Sequence, residues 1–256
     1  MTRSVDTLLI DLGNSRAKCA LSHAGGLFFQ APLDLSDPDW ARQAETRWRA
    51  LLAHSPSRRA LVSCVTTSQR RDTVLAVLDD LGVAAEQVGP PRSDELLTLA
   101  YRDPAQLGVD RWLAMRAARR RCATPFVLAC AGSALTIDAV DASGQHLGGV
   151  IAPSPPRALE ALKARAAHLD SAGLCIDELA DNTADAVWSG AWLSAAALVE
   201  RVHRHVQTRL DAPAAVWISG GDAERIADLL GPAPRIEHDL VLRGLADLGE
   251  SARHEG

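Results

Sequence analysis

The chain has 256 residues, with 27 Lys plus Arg against 32 Asp plus Glu for a formal net charge of −5, and 47% of it is hydrophobic. That length and apolar share build one large or two modest domains with real cores, and exclude a disordered chain. The acidic balance lacks the basic footprint of a nucleic-acid binder. No run approaches the ~18 apolar residues of a spanning helix, and the start of the chain, with Arg3 and Asp6, lacks a signal peptide's apolar stretch. The expectation is therefore a cytoplasmic protein with neither nucleic acid nor membrane as partner.

Residues 8–11, 17–21 and 27–30 read as three strands joined by tight turns. Residues 38–52 have helical spacing, with Pro38 in the first turn and Trp40, Trp48 and Leu51 as core candidates. A buried strand at 60–65 and a helix at 68–81 follow, so strands alternate with helices as in an α/β layer structure. Residues 109–121 are helical, with Trp112, Met115 and Ala118 on one face and an Arg cluster at the end, where cations suit the helix dipole. Strands at 126–130, 135–140 and 146–151 then repeat the opening arrangement, glycine turn included. Helices at 155–165 and 183–210, a strand at 216–219 running into Gly220 and Gly221, and helices at 222–230 and 240–248 complete the chain. The architecture is written twice, with a boundary near 119–124.

The five cysteines, Cys19, Cys64, Cys122, Cys130 and Cys175, are odd in number and contain no CxxC pair, so they indicate neither a disulfide framework nor a zinc site and read as small hydrophobes. The histidines show no metal-ligand spacing, and His146 reads as a turn residue.

Three glycine turns at strand ends carry the chemistry. DLGNSRAK, Asp11 to Lys18, sets a carboxylate beside a turn whose amides suit phosphate oxygens, while the acid suits Mg²⁺; the same residues also make an ordinary hairpin turn. AGSALT from Ala131 offers the hydroxyls of Ser133 and Thr136, which equally satisfy a local turn. ISGGDA from Ile218 brings a glycine pair against which a flat ring can lie. No GxxxxGK[ST] motif is present, so the turns are not a P-loop. LGVDRW from Leu107 puts Asp110 and Arg111 in the first turn of a helix. They are either a favourable first-turn acid with an exposed charge, or a proton acceptor beside a guanidinium that grips a carboxylate or phosphate. In HLGGVIAP from His146, a bulge or close packing accounts for the glycines.

Together DLGNSRAK, Tyr101 followed by LGVDRW, AGSALTID, HLGGVIAPS, NTADAV from Asn182 and ISGGDA resemble the successive motifs of type III pantothenate kinases, in order from Asp11 to near Leu240. The resemblance implies a duplicated ribonuclease H-like, actin-like ATPase fold: two α/β halves with mixed sheets and a central cleft. The halves would be 1–118, with the first phosphate loop and the catalytic acid, and 119–256, with the second loop and the adenosine-side glycine pair. It also implies ATP-dependent phosphorylation of pantothenate to 4'-phosphopantothenate, the first step of coenzyme A biosynthesis, by a cytoplasmic homodimer.

Carried over by position, Asp110 is the catalytic base. Asp11, Leu12, Gly13, Asn14, Ser15, Arg16, Ala17, Lys18 and Ser133 bind ATP, and Asp11 is the Mg²⁺ ligand. Tyr101, Gly108, Val109, Asp110, Arg111 and Thr183 contact pantothenate. The family's usual K⁺ or NH₄⁺ site is in doubt because Cys130 stands where an Asp is common, and Ser154 stands where a Gly often follows the Pro. The apolar stretch 188–199 offers a dimer face or a buried helix face. A kinase for another small alcohol, or a non-catalytic regulatory protein on the same fold, are the alternative readings.

Overall fold

A computed structural model describes residues 6–23, 26–54, 57–166, 175–231 and 233–251. The elements run β1 (Thr7–Leu12), β2 (Arg16–His23), β3 (Gly26–Phe29), β4 (Leu33–Asp34), α1 (Trp40–His54), β5 (Arg59–Cys64), α2 (Ser68–Asp80), β6 (Ala84–Gln87), α3 (Val109–Arg121), β7 (Phe126–Ala131), β8 (Ala134–Val140), β9 (His146–Pro153), α4 (Pro155–Arg165), α5 (Thr183–Leu210), β10 (Ala215–Gly220), α6 (Ala223–Ala227), β11 (Arg235–Ile236) and α7 (Leu240–Ser251). The helices and long strands lie where the periodicity predicts them. The elements without a sequence signal are short edge pieces: β4 and β11 have two residues each, and every residue of β6 is exposed.

Two compact units result, each described by itself: unit 1 is Met1–Arg92, Tyr101–Ala117 and Leu240–Gly256, and unit 2 is Ser93–Ala100 and Ala118–Asp239. A single cut at 118/119 misses two excursions. Helix α7 returns to unit 1 because it packs on β1, β5 and β2. Residues 93–100 join unit 2 because Thr98 bridges Gln145 and trades backbone hydrogen bonds with Gly144 and His146.

Each unit holds one mixed sheet, with strand order β3-β2-β1-β5-β6 in unit 1 and β9-β8-β7-β10-β11 in unit 2. In both, three antiparallel strands are followed by two parallel ones reached through helical crossovers, so the duplication read from the turns extends to the whole topology. In unit 1, Leu8, Ile10 and Leu12 point to α1 and α2, where Trp48, Val74 and Leu78 are buried; the alternate face, with Leu9 and Leu61, meets α7. In unit 2, Val127, Ala129 and Ala131 pack on Trp192, Ala195 and Val199 of α5. Each large side chain so buried contributes roughly 1.5–3 kcal/mol. Trp48 is in the core as expected, whereas Trp40 and Leu51 are only half-buried against it.

The glycine pair of β9 accompanies a bulge: the register slips between Ala139 and Val140, and Gly148 adopts φ +109°. His146 is not a turn residue. It is a buried member of β9, its Nε2 3.1 Å from Asp138 Oδ1. Apolar sheet surroundings and a carboxylate partner hold it inside.

Candidate active site

At the end of β1, Asp11 stands opposite Lys18 of β2 and Ser63 of β5, its Oδ1 buried. Parity puts its side chain on the Leu9 face, away from the α1–α2 core. The turn is closed by Gly13 N–H donating to the Arg16 carbonyl at 3.1 Å and by Leu35 N–H donating to the Ser15 carbonyl at 2.9 Å. Asn14 and Arg16 are exposed, while Leu12 and Ala17 are core residues that offer a ligand only backbone. Arg70, on α2, donates from Nη1 to the Asn14 carbonyl and from Nη2 to the Leu35 carbonyl, pinning the turn from 56 residues away. The sequence reading missed it, since no local pattern links an arginine of α2 to this turn.

The corresponding turn of unit 2 leaves β7 at Cys130, opposite Thr136 of β8 and Ser219 of β10. Gly132 N–H donates to the Ala134 carbonyl at 3.0 Å, and Ser133 is exposed at the tip. Ser154 occupies the N-cap position of α4 without capping it; its hydroxyl, 1% exposed, donates instead to the Ser133 carbonyl at 3.3 Å. Gly220, φ +104°, lies so close under this strand end that a Cβ there would stand 2.1 Å from the Ala131 carbonyl oxygen. Backbone packing thus accounts for Gly220, and the exposed Gly221 is left as the member able to face a ring.

Helix α3 opens with the third constellation. The Gly108 carbonyl accepts the first helical bond, from Trp112 N–H at 3.1 Å. Leu107, Val109 and Trp112 are buried anchors, and Asp110 is half-buried with Oδ1 accepting the Arg111 N–H at 2.8 Å. Arg111 is not an exposed charge: it is 5% exposed, and its Nη1 donates to the Tyr101 hydroxyl at 3.0 Å beneath the Tyr101 ring, 5.7 Å from the centroid. A desolvated guanidinium held in one orientation is expensive to bury and suits an anionic ligand. Thr183, in unit 2, is the exposed first residue of α5, whose NTAD start is a capping arrangement: Asn182 Oδ1 accepts from Asp185 N–H at 3.0 Å.

The structure therefore brings together Tyr101, Gly108, Val109, Asp110 and Arg111 in unit 1, holds the Asp11–Lys18 turn elsewhere in the same unit's sequence, and holds Ser133 and Thr183 in unit 2. Among the described residues no group of three or more His, Cys, Asp or Glu converges as a metal cage. All five cysteines are free thiols: Cys19 is buried, which pushes its thiol well above the ordinary range, and Cys175 is exposed rather than packed.

The profile of the type III pantothenate kinase family matches residues 7–205. A type III pantothenate kinase of Xanthomonas campestris pv. campestris (strain B100) is 40% identical over 246 residues, 93% of this chain and 95% of that protein. One from Xanthomonas oryzae pv. oryzae (strain PXO99A) is 39% identical, covering 95% and 97%. Among solved structures, a Campylobacter jejuni protein assigned to the Baf family of transcriptional activators superposes with a TM-score of 0.61 at 20% identity, covering 96% of this chain and 99% of that one. A glucokinase from an Antarctic psychrotroph superposes with 0.52 at 12%, covering 97% and 100%. MreB5 of Spiroplasma citri superposes with 0.50 at 9%, covering 100% and 98%. These likenesses give the fold, the duplicated actin-like ATPase architecture expected from the motifs, and the sequence matches give the family: the chain belongs to the type III pantothenate kinases.

Proposed function

We propose that this chain transfers the γ-phosphoryl group of ATP to the terminal hydroxyl of pantothenate, yielding 4'-phosphopantothenate and ADP as the first step of coenzyme A biosynthesis. Family membership supports the reaction. The observation that carries the site is the buried Arg111 guanidinium, tethered by Tyr101, with the Asp110 carboxylate one residue before it accepting the Arg111 backbone N–H. Arg111 pairs with the pantothenate carboxylate, while Tyr101 and the 108–109 backbone complete the contacts of unit 1. Asp110 accepts the hydroxyl proton as the new O–P bond forms and the bond to the β,γ-bridging oxygen breaks. Amides of the Gly13 turn and Lys18 offset charge on the phosphates, so that most of the rate comes from positioning and electrostatics.

Asp11 fits a Mg²⁺ role, because it offers a hard oxygen at a phosphate-binding turn, and this ion ordinarily takes one or two carboxylates and completes its shell with phosphate and water. Bound with ATP, Mg²⁺ would neutralise phosphate charge. Cys130 does not fit K⁺ or NH₄⁺: a half-buried thiol replaces an oxygen donor, so turnover is proposed to be independent of either ion. A cytoplasmic homodimer belongs to the same proposal. The 188–199 stretch is a poor partner face, however, since Ala191, Trp192, Ala195, Ala196 and Val199 are buried within the chain. Light scattering at twice the chain mass of 27.2 kDa tests the dimer.

The decisive assay is ADP release from ATP. It should require added pantothenate and vanish in Asp110→Asn with the thermal transition unchanged. Pantothenate-independent release, or full activity in that variant, would defeat the reading.

A further inference from the structure

Gly108 has no conformational reason to be glycine. Gly82, Gly144, Gly148 and Gly220 are the described glycines with positive φ, and Gly108 is not among them. Its carbonyl accepts the first hydrogen bond of α3, which makes it the N-cap, a position where Ser, Thr, Asp or Asn satisfies an orphan amide and stabilises the helix. Instead, a residue inside the first turn takes over part of that work: Asp110 Oδ1 accepts the Arg111 N–H.

What occupies the missing side chain's place is informative. A Cβ on Gly108 would lie 2.4 Å from Asp110 Oδ1, 3.6 Å from its Cγ and 3.8 Å from Arg111 Cδ. These three nearest atoms are all side-chain atoms, and they belong to the two residues assigned to proton acceptance and substrate binding. Elsewhere in the chain the close-packed glycines behave differently. A Cβ on Gly220 would strike the Ala131 carbonyl oxygen, and one on Gly244 would stand 2.4 Å from the Leu113 carbonyl oxygen. Backbone cannot yield there, whereas the end of an Asp side chain can rotate away.

We propose that Gly108 is a positioning residue: by carrying no side chain it leaves open the space that the Asp110 carboxylate fills, and so admits the rotamer, held by the Arg111 N–H, from which Asp110 takes the hydroxyl proton. The proposal rests on the reading of Asp110 as the base. The helix forgoes a side-chain cap, at small cost, at the point where the catalytic geometry gains from it.

The test uses the full chain with Gly108→Ala and Gly108→Ser, measuring steady-state kinetics for both substrates and thermal unfolding. Displacing the carboxylate by about an ångström lowers kcat about 10²-fold. KM for ATP stays at its wild-type value. Gly108→Ser restores a favoured cap residue, so its Tm matches or exceeds the wild type while turnover falls as in Gly108→Ala. Wild-type kcat in the Ser variant overturns the proposal. So does a rise in pantothenate KM at unchanged kcat, which would make Gly108 merely a pocket wall, or a loss of kcat that tracks a loss of Tm in both variants. Asp110→Asn, assayed alongside, separates the two failures. An active Asp110→Asn defeats the assignment of the base, whereas an inactive one beside an active Gly108→Ser defeats only the role of the glycine.

Discussion

The two glycine turns are the same backbone device with different electrostatics. Asp11 and Cys130 are the penultimate residues of β1 and β7, each facing a buried serine on the parallel side, Ser63 and Ser219. In unit 1 the residues from Gly13 to Arg16 separate the pair Leu12 and Ala17; in unit 2 only Gly132 to Ala134 separate Ala131 and Leu135, one residue fewer. The first turn carries the charged Asp11, Lys18 and Arg70, whereas the second has Cys130 at its strand end and the Ser154 hydroxyl bracing Ser133, with Asp222 reaching the Ala131 carbonyl by its backbone N–H. Duplication copied the frame, and the acid at the strand end, with Lys18 opposite it, stands in one copy only.

Removing the acid breaks this asymmetry most severely. Asp11→Ala should lower kcat/KM about 10²- to 10³-fold with folding intact, whereas Cys130→Ala at the equivalent position should change it by no more than about threefold, within the range of a surface-like substitution. Equal losses in the coupled ADP assay would mean that the turns share the catalytic load. The next effect is on stability. Gly220→Ala forces a side chain into the Ala131 carbonyl at positive φ and should lower stability by roughly 2–4 kcal/mol, read as a shift of the urea midpoint. Its unit 1 counterpart, Cys64, pairs with Leu12 in the same parallel register, and Cys64→Ala should cost about 1 kcal/mol or less.

The frame was legible in the sequence because alternating apolar strands and glycine turns have periods that survive in any context, and both three-strand units lie where those periods place them. The edge strands were not, since β6 (Ala84–Gln87) is exposed throughout and is held by backbone pairing to β5 rather than by an apolar face. Domain membership was only half legible: nothing in α7's own pattern says that it covers β1 rather than β10 or β11, the strands that precede it. At the candidate site, the motif residues are legible in the sequence because their spacing is local. The burial of Arg111, the brace from Arg70 and the turn of Ser154 away from its own helix depend on contacts across 10, 56 and 21 residues.

The braces give a smaller contrast. Arg70 supplies two charge-assisted bonds to the first turn, so Arg70→Ala should raise the KM for ATP about tenfold with kcat little changed. Ser154→Ala removes one neutral bond from the second turn and should raise it about two- to threefold. A larger effect from Ser154 would reverse the ranking of the turns.

The smallest expected effect bears on how far the neutral turn has diverged. A thiol is a poor donor for a hard monovalent cation, so the wild-type rate should be flat from K⁺-free buffer to high K⁺ at constant ionic strength. Cys130→Asp places a carboxylate beside Thr136 and Ser219, recreating on β7 the acid that β1 carries at Asp11. That variant should hold the wild-type rate without K⁺ and gain about two- to threefold with it, since one new oxygen ligand on a weakly held ion contributes at the low end of a net hydrogen bond, about 0.5 kcal/mol. Strong K⁺ activation of the wild type would show instead that backbone and hydroxyl oxygens of the second turn hold a cation without any carboxylate, and the difference between the two turns would then lie in ligand number rather than in charge.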